Sequence, residues 1–442
     1  MSYNIGMVSL GCAKNQTDAE TMLGILKKYG HNIVSEPENA DVIVVNTCGF
    51  IESAKQESID TILEMAQYKN GRCKILIASG CLAERYNEEL LEEMPEVDAI
   101  VGTGDYHKIA EVIERCFAGE KPALFGNRDF TPEESERVLS TPSYTAYLKI
   151  ADGCDNNCTY CAIPKIRGKF RSRKIPDIVS EAKSLAKSGV RELILIAQDT
   201  TRYGKDIYGK YSLAKLLEEL CKIEKIQWIR AHYYYTEAIT DELIDTMAKN
   251  KKICNYIDMP IQHINDRILR RMARRTKRTQ IENTIAKIRA KIPDVTIRTS
   301  LIAGFPGETK EEFSELYDFV KEIKFDRMGV FAYSKEEDTP AFDFPDQIDE
   351  KTKQERCGKL MELQQSISLE KNKEKIGSVI EVLVEGYESE SYMYFGRSRG
   401  DSIGVDNTVY FAACDDIGFG DIVNVKILDA SEYDLTGEQI SF

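Results

Sequence analysis

Residues 153–164 read Gly153-Cys154-Asp155-Asn156-Asn157-Cys158-Thr159-Tyr160-Cys161-Ala162-Ile163-Pro164, and they place three cysteines at C-x3-C-x2-C spacing. A loop of this kind can wrap three thiolates around one metal centre. A 4Fe-4S cluster is usually held by four cysteines, so three ligands leave one iron open to something other than protein. Zinc would normally need a fourth Cys or His nearby, and none of the four histidines is close in sequence. The spacing therefore indicates an iron–sulfur site rather than three unrelated core cysteines.

This triplet, with an aromatic residue before its last cysteine, resembles the signature of the radical S-adenosylmethionine (SAM) superfamily. The resemblance implies that the open iron chelates the amino and carboxylate groups of SAM. An electron from the cluster would then split SAM into methionine and a 5′-deoxyadenosyl radical. The cofactor supplies the hard chemistry, and the protein supplies position and shielding. The expected SAM contacts are Tyr160, Gln198 and Arg298.

The bulk composition describes an ordinary globular protein. The chain has 442 residues, 42% apolar and 30% charged, which is enough for two or three domains. No apolar run approaches the roughly 18 residues that would span a bilayer, and no signal peptide is indicated, so we expect a cytoplasmic protein without membrane association. Twelve cysteines then suit a reducing compartment, where thiols serve metals or catalysis. A net charge of −14 disfavours a general nucleic-acid binder.

A first domain is predicted over residues 1–118, where strands and helices alternate as in an open parallel α/β sheet. The predicted strands are Ile5–Leu10, Asp41–Asn46, Lys74–Ala78 and Ala99–Val101. Cys12, Cys48 and Cys81 fall just past the ends of the first three strands, each next to a glycine. Ligands bind outside the carboxyl ends of the strands in such sheets. The sequence therefore predicts a second three-cysteine site at this edge.

A polar linker is predicted over residues 119–139 and a second domain over residues 140–370. Six strand-like segments separated by helices indicate a partial (β/α)6 barrel, related to the eight-fold TIM barrel. They are Tyr147–Ile150, Glu192–Ala197, Trp228–His232, Tyr256–Met259, Thr296–Ile302 and Met328–Tyr333. The loop with Cys154 follows the first strand, and Gln198 follows the second. Chemistry in such barrels lies at the carboxyl ends of the strands.

A third domain is predicted over residues 373–442, where about five short strands indicate a small closed barrel of the OB type. This segment resembles the TRAM domain. From residue 377 onward it contains 13 acidic residues and 3 cations. A barrel this acidic should repel RNA and attract a basic protein.

Two basic runs contrast with the acidic total. Residues 165–174 contain six cations and residues 267–278 contain seven. Each run is either a solvated face or a contact with RNA phosphates.

The chain also resembles the methylthiotransferases, a family of radical SAM enzymes. Ser9–Asn15, Asn46–Ile51 and Gly80–Ala83 resemble its amino-terminal domain, in which a second 4Fe-4S cluster on three cysteines holds the sulfur to be inserted. Ala197–Gly204 and Gly329–Ser334 resemble its RimO branch, which methylthiolates the β-carbon of an aspartate in the small-subunit ribosomal protein numbered twelve.

This resemblance implies two 4Fe-4S clusters, a second SAM as methyl donor, and sulfide or polysulfide as the sulfur source. It also implies an electron donor such as flavodoxin or ferredoxin, and a ribosomal protein as substrate, either free or within the ribosome. Tyr233–Thr236 departs from the branch, because a proline is expected near this position.

Two alternatives remain at this point. The first is a transfer-RNA adenosine methylthiotransferase, which the basic runs support and the acidic barrel opposes. The second is an iron–sulfur electron carrier or scaffold without catalysis. Three-cysteine ligation opposes this alternative, because a carrier prefers closed coordination.

Overall fold

The computed structural model describes residues 2–128 and 137–440. Its first domain is a parallel six-stranded sheet in the order β2-β1-β3-β4-β5-β6. The strands are β1 (Asn4–Ser9), β2 (Asn32–Val34), β3 (Val42–Thr47), β4 (Ile75–Gly80), β5 (Ala99–Val101) and β6 (Ala123–Leu124). The helices are α1 (Ala13–Lys28), α2 (Glu52–Ala66), α3 (Cys81–Glu93) and α4 (Ile109–Phe117).

The predicted α/β fold of this domain is confirmed, with one difference at its end. β6 pairs with β5, although residues 123–124 fall in the segment expected to be a linker. A strand of two residues is too short to show the alternation by which strands are recognised. The sheet therefore extends beyond the boundary expected at residue 118.

The second domain is a partial barrel of six parallel strands arranged as two three-stranded sheets, β11-β10-β7 and β12-β13-β14. A bridge between Ile229 and Ile253 connects them. The six barrel strands are β7 (Thr145–Lys149), β10 (Glu192–Ile196), β11 (Trp228–Ala231), β12 (Tyr256–Asp258), β13 (Thr296–Ala303) and β14 (Arg327–Ala332), and two further short strands are β8 (Ala151–Asp152) and β9 (Arg171–Ser172). β8 and β9 form a separate short pair beside the cysteine loop.

Helices between these strands cover the barrel. They are α5 (Ile163–Arg167), α6 (Ile175–Lys187), α7 (Lys205–Tyr208), α8 (Leu213–Cys221), α9 (Asp241–Lys249), α10 (Asp266–Arg271), α11 (Arg278–Lys291) and α12 (Lys310–Ile323), followed by α13 (Glu350–Lys373). The apolar faces of these helices and strands form one continuous core. The prediction of a partial barrel is confirmed.

The third domain is a closed five-stranded barrel in the order β15-β16-β17-β19-β18. Its strands are β15 (Val379–Glu388), β16 (Met393–Ser398), β17 (Val409–Ala412), β18 (Ile422–Ala430) and β19 (Leu435–Gln439). Alternate side chains fill its interior, including Val382, Phe411 and Ile427. The predicted small β-barrel is confirmed.

The first and third domains lie at opposite ends of the partial barrel. Asp18 on α1 pairs with Lys149, the last residue of β7. At the other end, Arg397 of the small barrel pairs with Glu192, the first residue of β10. The carboxyl ends of the strands therefore face the first domain, and the amino ends face the third. Among the described residues, no helix is both long and apolar enough to cross a membrane.

Candidate functional site

The structure brings Cys12, Cys48 and Cys81 to one edge of the first sheet. Cys12 precedes α1, Cys48 follows β3, and Cys81 is the first residue of α3, directly after β4. β1, β3 and β4 are neighbours in the sheet, so their carboxyl ends deliver the three thiols side by side. The loops approach closely here: a Cβ added at Gly11 would lie 3.0 Å from the Cys48 sulfur.

Buried polar side chains hold the backbone of this edge in place. The Asn15 amide donates to the carbonyls of Leu10, at 3.1 Å, and Thr47, at 2.7 Å. The Cys48 N–H donates to the Ser58 hydroxyl at 3.0 Å, and that hydroxyl donates to the Cys48 carbonyl at 2.9 Å. These bonds satisfy backbone groups that would otherwise be buried without partners. Neither Asn15 nor Ser58 was expected from the sequence, because nothing in their spacing marks them.

The three thiols of this site differ in their acidity. Burial raises the pKa of Cys48, and it raises the pKa of Cys81 to about 12. Burial also opposes ionisation of Cys12, but the charges of Lys14 and Arg167 outweigh it and lower the pKa of Cys12. A bound metal deprotonates its thiol ligands outright, so the raised values do not prevent ligation.

The second set, Cys154, Cys158 and Cys161, lies on one loop between β8 and α5. The Cys154 N–H donates to the Gly168 carbonyl at 3.1 Å, which closes the loop on itself. Thr159 ties the loop to the end of α10, since its N–H donates to the Met272 carbonyl at 3.1 Å. The loop therefore has a fixed shape at the carboxyl end of the barrel.

Burial dominates the acidity of the thiols in this loop. It raises the pKa of Cys154 to about 11 and raises the pKa of Cys161 further. The Cys154 sulfur accepts a hydrogen bond from the Asn156 N–H at 3.4 Å. Backbone N–H groups pointing at sulfur are typical of sites that tune an iron–sulfur cluster.

Arg167 joins the two sites. It lies six residues after Cys161 and is buried, and its Nη2 is 3.8 Å from the Cys81 sulfur. The same Nη2 donates to Asn15 Oδ1 at 2.6 Å and to Asp18 Oδ2 at 2.9 Å, both on α1. Cys81 also packs against Ala162 and Ile166. The segment that carries the second cysteine set therefore ends against a thiol of the first.

Each donor set consists of three thiols, the ligand type that iron–sulfur clusters take. Within the residues that the structure describes, no three His, Cys, Asp or Glu side chains converge closely enough for one metal ion. Each iron of a cluster takes its own thiolate, so its ligands are separated by the size of the cluster. Two sets of three thiols, each set on a rigid support, could each hold a cluster with one iron free of protein ligands.

The residues expected to contact SAM occupy different environments. The Tyr160 ring packs edge-on against Phe305 with ring centroids 6.5 Å apart. Gln198 donates from Nε2 to Asp152 at 3.1 Å, while its Oε1 is buried without a partner among the described residues.

Arg298 is paired with Asp258 at 3.1 Å and with Asp406 at 3.4 Å. It lies near the amino end of β13, and Asp406 belongs to the third domain. Its observed partners are thus carboxylates of the protein, and the SAM roles of all three residues stay predictions.

The two basic runs are partly internal. Arg167 and Arg173 of the first run are buried, and Arg173 pairs with Glu181 at 2.6 Å. In the second run, Arg267 pairs with Glu312 and Arg278 with Glu315. These cations hold the protein together, which the sequence could not distinguish from a solvated face. RNA contact through the remaining exposed cations stays a prediction.

The loop that lacks the expected proline contacts the first domain. Tyr233 has a φ of +62°, which non-glycine residues rarely adopt. The Lys14 ammonium lies 3.8 Å from the centroid of its ring. The unusual backbone is therefore held in place by a cation–π contact two residues from Cys12.

Comparisons with known families agree with this architecture. Residues 4–102 match the uncharacterized protein family UPF0004, residues 148–320 match the radical SAM superfamily, and residues 376–440 match the TRAM domain. Among solved structures, the chain resembles the radical SAM methyltransferase TsrM from Kitasatospora setae. The TM-score is 0.57 at 13% identity, with 77% of each chain covered, which supports the fold alone.

Relatives that match along nearly the whole chain include two that are both named ribosomal protein uS12 methylthiotransferase RimO. The one from Clostridioides difficile is 54% identical over 436 residues, which cover 98% of each chain. The one from Acetivibrio thermocellus is 50% identical and covers 100% of this chain and 99% of its own. The chain therefore belongs to the RimO family of ribosomal protein uS12 methylthiotransferases, a family of radical SAM enzymes.

Proposed function

We propose that this protein methylthiolates the β-carbon of an aspartate in ribosomal protein uS12, using two 4Fe-4S clusters and SAM. The observation that carries the proposal is the meeting of two three-cysteine sites at one interface, with Arg167 of the second site 3.8 Å from Cys81 of the first. A reaction that makes a carbon radical at one site and adds sulfur from another needs both sites to reach one substrate atom.

The superfamily implies a 4Fe-4S cluster and SAM, and we assign them to Cys154, Cys158 and Cys161. Cys12, Cys48 and Cys81 would hold the second cluster, whose open iron would take the sulfur from sulfide or polysulfide. When bound, these groups supply an oxidising radical, a sulfur atom and a methyl group. The C–H bond beside an ionised carboxylate is barely acidic, so acid–base residues alone could not activate it readily.

The chain's own residues position these groups and keep water away. Four of the six cysteines are buried, and one of them, Cys81, packs against Ala162 and Ile166. Arg167 binds carboxylates of both domains, Asp18 at 2.9 Å and Asp152 at 3.1 Å. These contacts hold the segment after the second cysteine set against the first domain.

The charge of the small barrel supports a protein substrate. Of its three cations, Arg397 is buried against Glu192 and Arg399 donates to backbone carbonyls of the partial barrel. This leaves Lys426 as the cation on a surface that carries exposed acids, including Glu388, Glu390 and Asp429. Such a surface attracts a basic protein, and it opposes the transfer-RNA alternative, as do the names of the relatives.

An anaerobic assay tests the proposal. The reconstituted protein would receive SAM, sulfide and a reductant, or reduced flavodoxin or ferredoxin as donor. A peptide carrying the aspartate loop of uS12 and a transfer-RNA anticodon stem would be offered side by side. Mass spectrometry should find a methylthio group in place of one hydrogen on the aspartate. A gain on the RNA alone would overturn the assignment of substrate.

Three variants distinguish the roles of the two cysteine sets. Cys158→Ala should abolish SAM cleavage, because the radical is made at that site. Cys48→Ala should leave cleavage intact and stop sulfur transfer. Cys414→Ala, at an exposed cysteine of the small barrel, is the matched control and should keep both. Full product from the Cys48 variant would show that the two-cluster assignment is wrong.

A further inference from the structure

Lys14 carries a buried ammonium that pairs with no carboxylate of the described chain. It lies in the first turn of α1 and is 7% exposed. No Asp or Glu oxygen among the described residues lies within 4.0 Å of its ammonium, whose contact is the ring of Tyr233, 3.8 Å from Nζ to the centroid. A buried charge without a counter-charge is costly, so such groups are normally paired or bind a ligand.

Other buried cations where the first domain meets the partial barrel are paired. Lys149 pairs with Asp18 and Asp152, and Arg167 pairs with the same two carboxylates. The protein itself therefore neutralises these charges. Lysine has three N–H donors, and a contact with one ring face leaves donors available for an anion. Lys14 is thus a cation prepared for an anion that the described protein groups do not supply.

The position of Lys14 is between the first cysteine set and the mouth of the barrel. It follows Cys12 by two residues, and the ring that it contacts belongs to Tyr233, which follows β11 at the carboxyl end of the barrel. The Tyr233 carbonyl accepts from the Thr200 N–H at 3.1 Å, and the Tyr233 N–H donates to Asp258 at 3.3 Å. These bonds fix the ring against which the ammonium lies, so Lys14 has a defined place at the domain boundary.

An aspartate substrate would bring a carboxylate to this boundary. Its β-carbon has to be reached from both cysteine sets, and its carboxylate is bonded directly to that carbon. Closure of protein around the reacting carbon therefore takes the carboxylate out of water as well. A carboxylate in such a place needs a cation and hydrogen-bond donors.

We propose that Lys14 binds the side-chain carboxylate of the substrate aspartate through a charge-assisted hydrogen bond. This rests on the proposed function, which places an aspartate of uS12 between the two cysteine sets. Charge-assisted bonds of this kind are roughly twice as strong as neutral ones. Lys14 is then a specificity-determining residue, because the neutral amide of an asparagine would leave the buried ammonium without a counter-charge.

The binding of two peptides tests the proposal without turnover. The reconstituted full-length protein would receive SAM but no reductant, and a uS12 loop peptide carrying either its aspartate or an asparagine in that place. Contacts elsewhere, including those with the acidic small barrel, are common to both peptides, so the ratio of their affinities reports the carboxylate. The unaltered protein should prefer the aspartate peptide about ten- to hundredfold, the usual effect of a hydrogen bond to a charged group.

Two variants connect this preference to Lys14. Lys14→Met removes the charge and keeps an unbranched side chain against the Tyr233 ring, so it should bind the two peptides about equally. Lys28→Gln removes an exposed lysine at the other end of α1 and should keep the full preference. Iron content and thermal unfolding check that each variant is folded and loaded. If Lys14→Met loses iron, Lys14→Gln replaces it with the same expected result.

An unchanged preference for the aspartate peptide in folded, loaded Lys14→Met would overturn the proposal. So would a shift in the reduction potential of the first cluster with no change in preference, because the ammonium would then serve the thiolates near Cys12. Adding reductant to the unaltered protein tests the proposed function separately. If the aspartate peptide is methylthiolated while Lys14→Met keeps the preference, this inference alone fails. If the unaltered protein modifies neither peptide, the proposed function fails.

Discussion

A buried arginine joins two domains at each end of the partial barrel, but only one of these two arginines lies beside a cysteine of the proposed site. At the carboxyl end, Arg167 binds Asp18 of the first domain and Asp152 of its own. At the amino end, Arg397 of the third domain binds Glu192 and Glu385. Both arginines cross a domain boundary and both are hidden from water.

The difference lies in what else each arginine touches. Arg167 lies 3.8 Å from the Cys81 sulfur, whereas Arg397 donates to Glu192, Glu385 and the Asp401 carbonyl. A buried arginine therefore joins two domains at each end, and at the carboxyl end it also contacts a cysteine of the proposed metal site. Burial of an arginine does not by itself identify a functional site. The groups that surround the arginine do.

Removing each arginine in turn tests whether the two ends of the partial barrel differ in this way. Arg167→Ala and Arg397→Ala should each destabilise the protein by about 3–5 kcal/mol, because each leaves buried carboxylates unpaired. Urea unfolding would measure this loss. Only Arg167→Ala should also lower the iron bound after reconstitution, since only Arg167 supports Cys81. An equal loss of iron in folded Arg397→Ala would show that the two ends are not independent.

A smaller change should disable the first cysteine set and spare the second. Gly80 has a φ of +92°, and an added Cβ would lie 2.5 Å from Asn46 Oδ1 and 2.6 Å from the Thr47 carbonyl. Gly80→Ala should displace Cys81, so that iron binding falls to the content of one cluster while SAM cleavage continues. Cleavage and iron content together measure the outcome.

Gly119→Ala is the matched control for this prediction. Gly119 has a φ of +90°, but an added Cβ there would have no heavy atom within 4 Å. Both variants carry the backbone strain of an alanine at positive φ, about 1–2 kcal/mol. If Gly119→Ala loses iron to the same extent, strain rather than the clash at Cys81 is the cause.

The sequence predicted the strands and loops that carry the two cysteine sets better than it predicted the contacts that join the two sets. β10, β11 and β12 are buried along their whole length and β13 alternates buried with half-buried residues, and the sequence places all six barrel strands to within a residue or two. The loop of Cys154 was evident from spacing alone. Cys12, Cys48 and Cys81 became a set only because each follows a strand, since they lie up to 69 positions apart in the printed sequence.

What the sequence could not show depends on long-range packing. Arg167 was one cation among six in a basic run, and only the docking of α1 distinguishes it from exposed Lys169. Arg298 follows the polar pattern of a barrel interior, yet its partner Asp406 is 108 positions away in another domain. Arg274 belongs to a second basic run, and its burial under Tyr235 leaves no periodic signal.

Acid should weaken the interface between the third domain and the amino end of the partial barrel, because Glu192 becomes protonated. Burial opposes its ionisation, but Arg397 and Arg230 outweigh it and lower the pKa of Glu192 from 4.5 to about 2. A lowered pKa means that Glu192 stabilises the folded protein above pH 4.5 and loses this effect as the pH falls toward 2. Trp228, the one tryptophan, lies beside Arg399 at this interface, so its fluorescence reports the opening.

The matched variant for the acid titration is Arg397→Ala. Without the main cation, the pKa of Glu192 should return upward, and the fluorescence change should begin at a higher pH. Cluster-free protein is used, so that loss of iron does not contribute. An acid transition at the same pH in both proteins would assign it to other carboxylates.

Alkali should weaken the contact between the first domain and the carboxyl end of the partial barrel by a smaller amount, because Lys55 loses its proton. Burial lowers its pKa, but Glu52, Tyr86 and Glu336 outweigh this effect and raise the pKa from 10.5 to about 12. A raised pKa means that Lys55 stabilises the folded protein fully below pH 10.5 and ceases to do so as the pH rises through 12.

Urea unfolding of Lys55→Gln and the unaltered protein, followed as the pH rises, measures this contribution. The gap between their midpoints should be widest below pH 10.5 and should close near pH 12. Lys351→Gln, at an exposed lysine 4.0 Å from Glu355, should show no gap at any pH. A gap that persists at pH 12 would mean that Lys55 stabilises this end by packing rather than by charge. The two ends would then differ in the kind of force that holds them, and not only in the pH at which they fail.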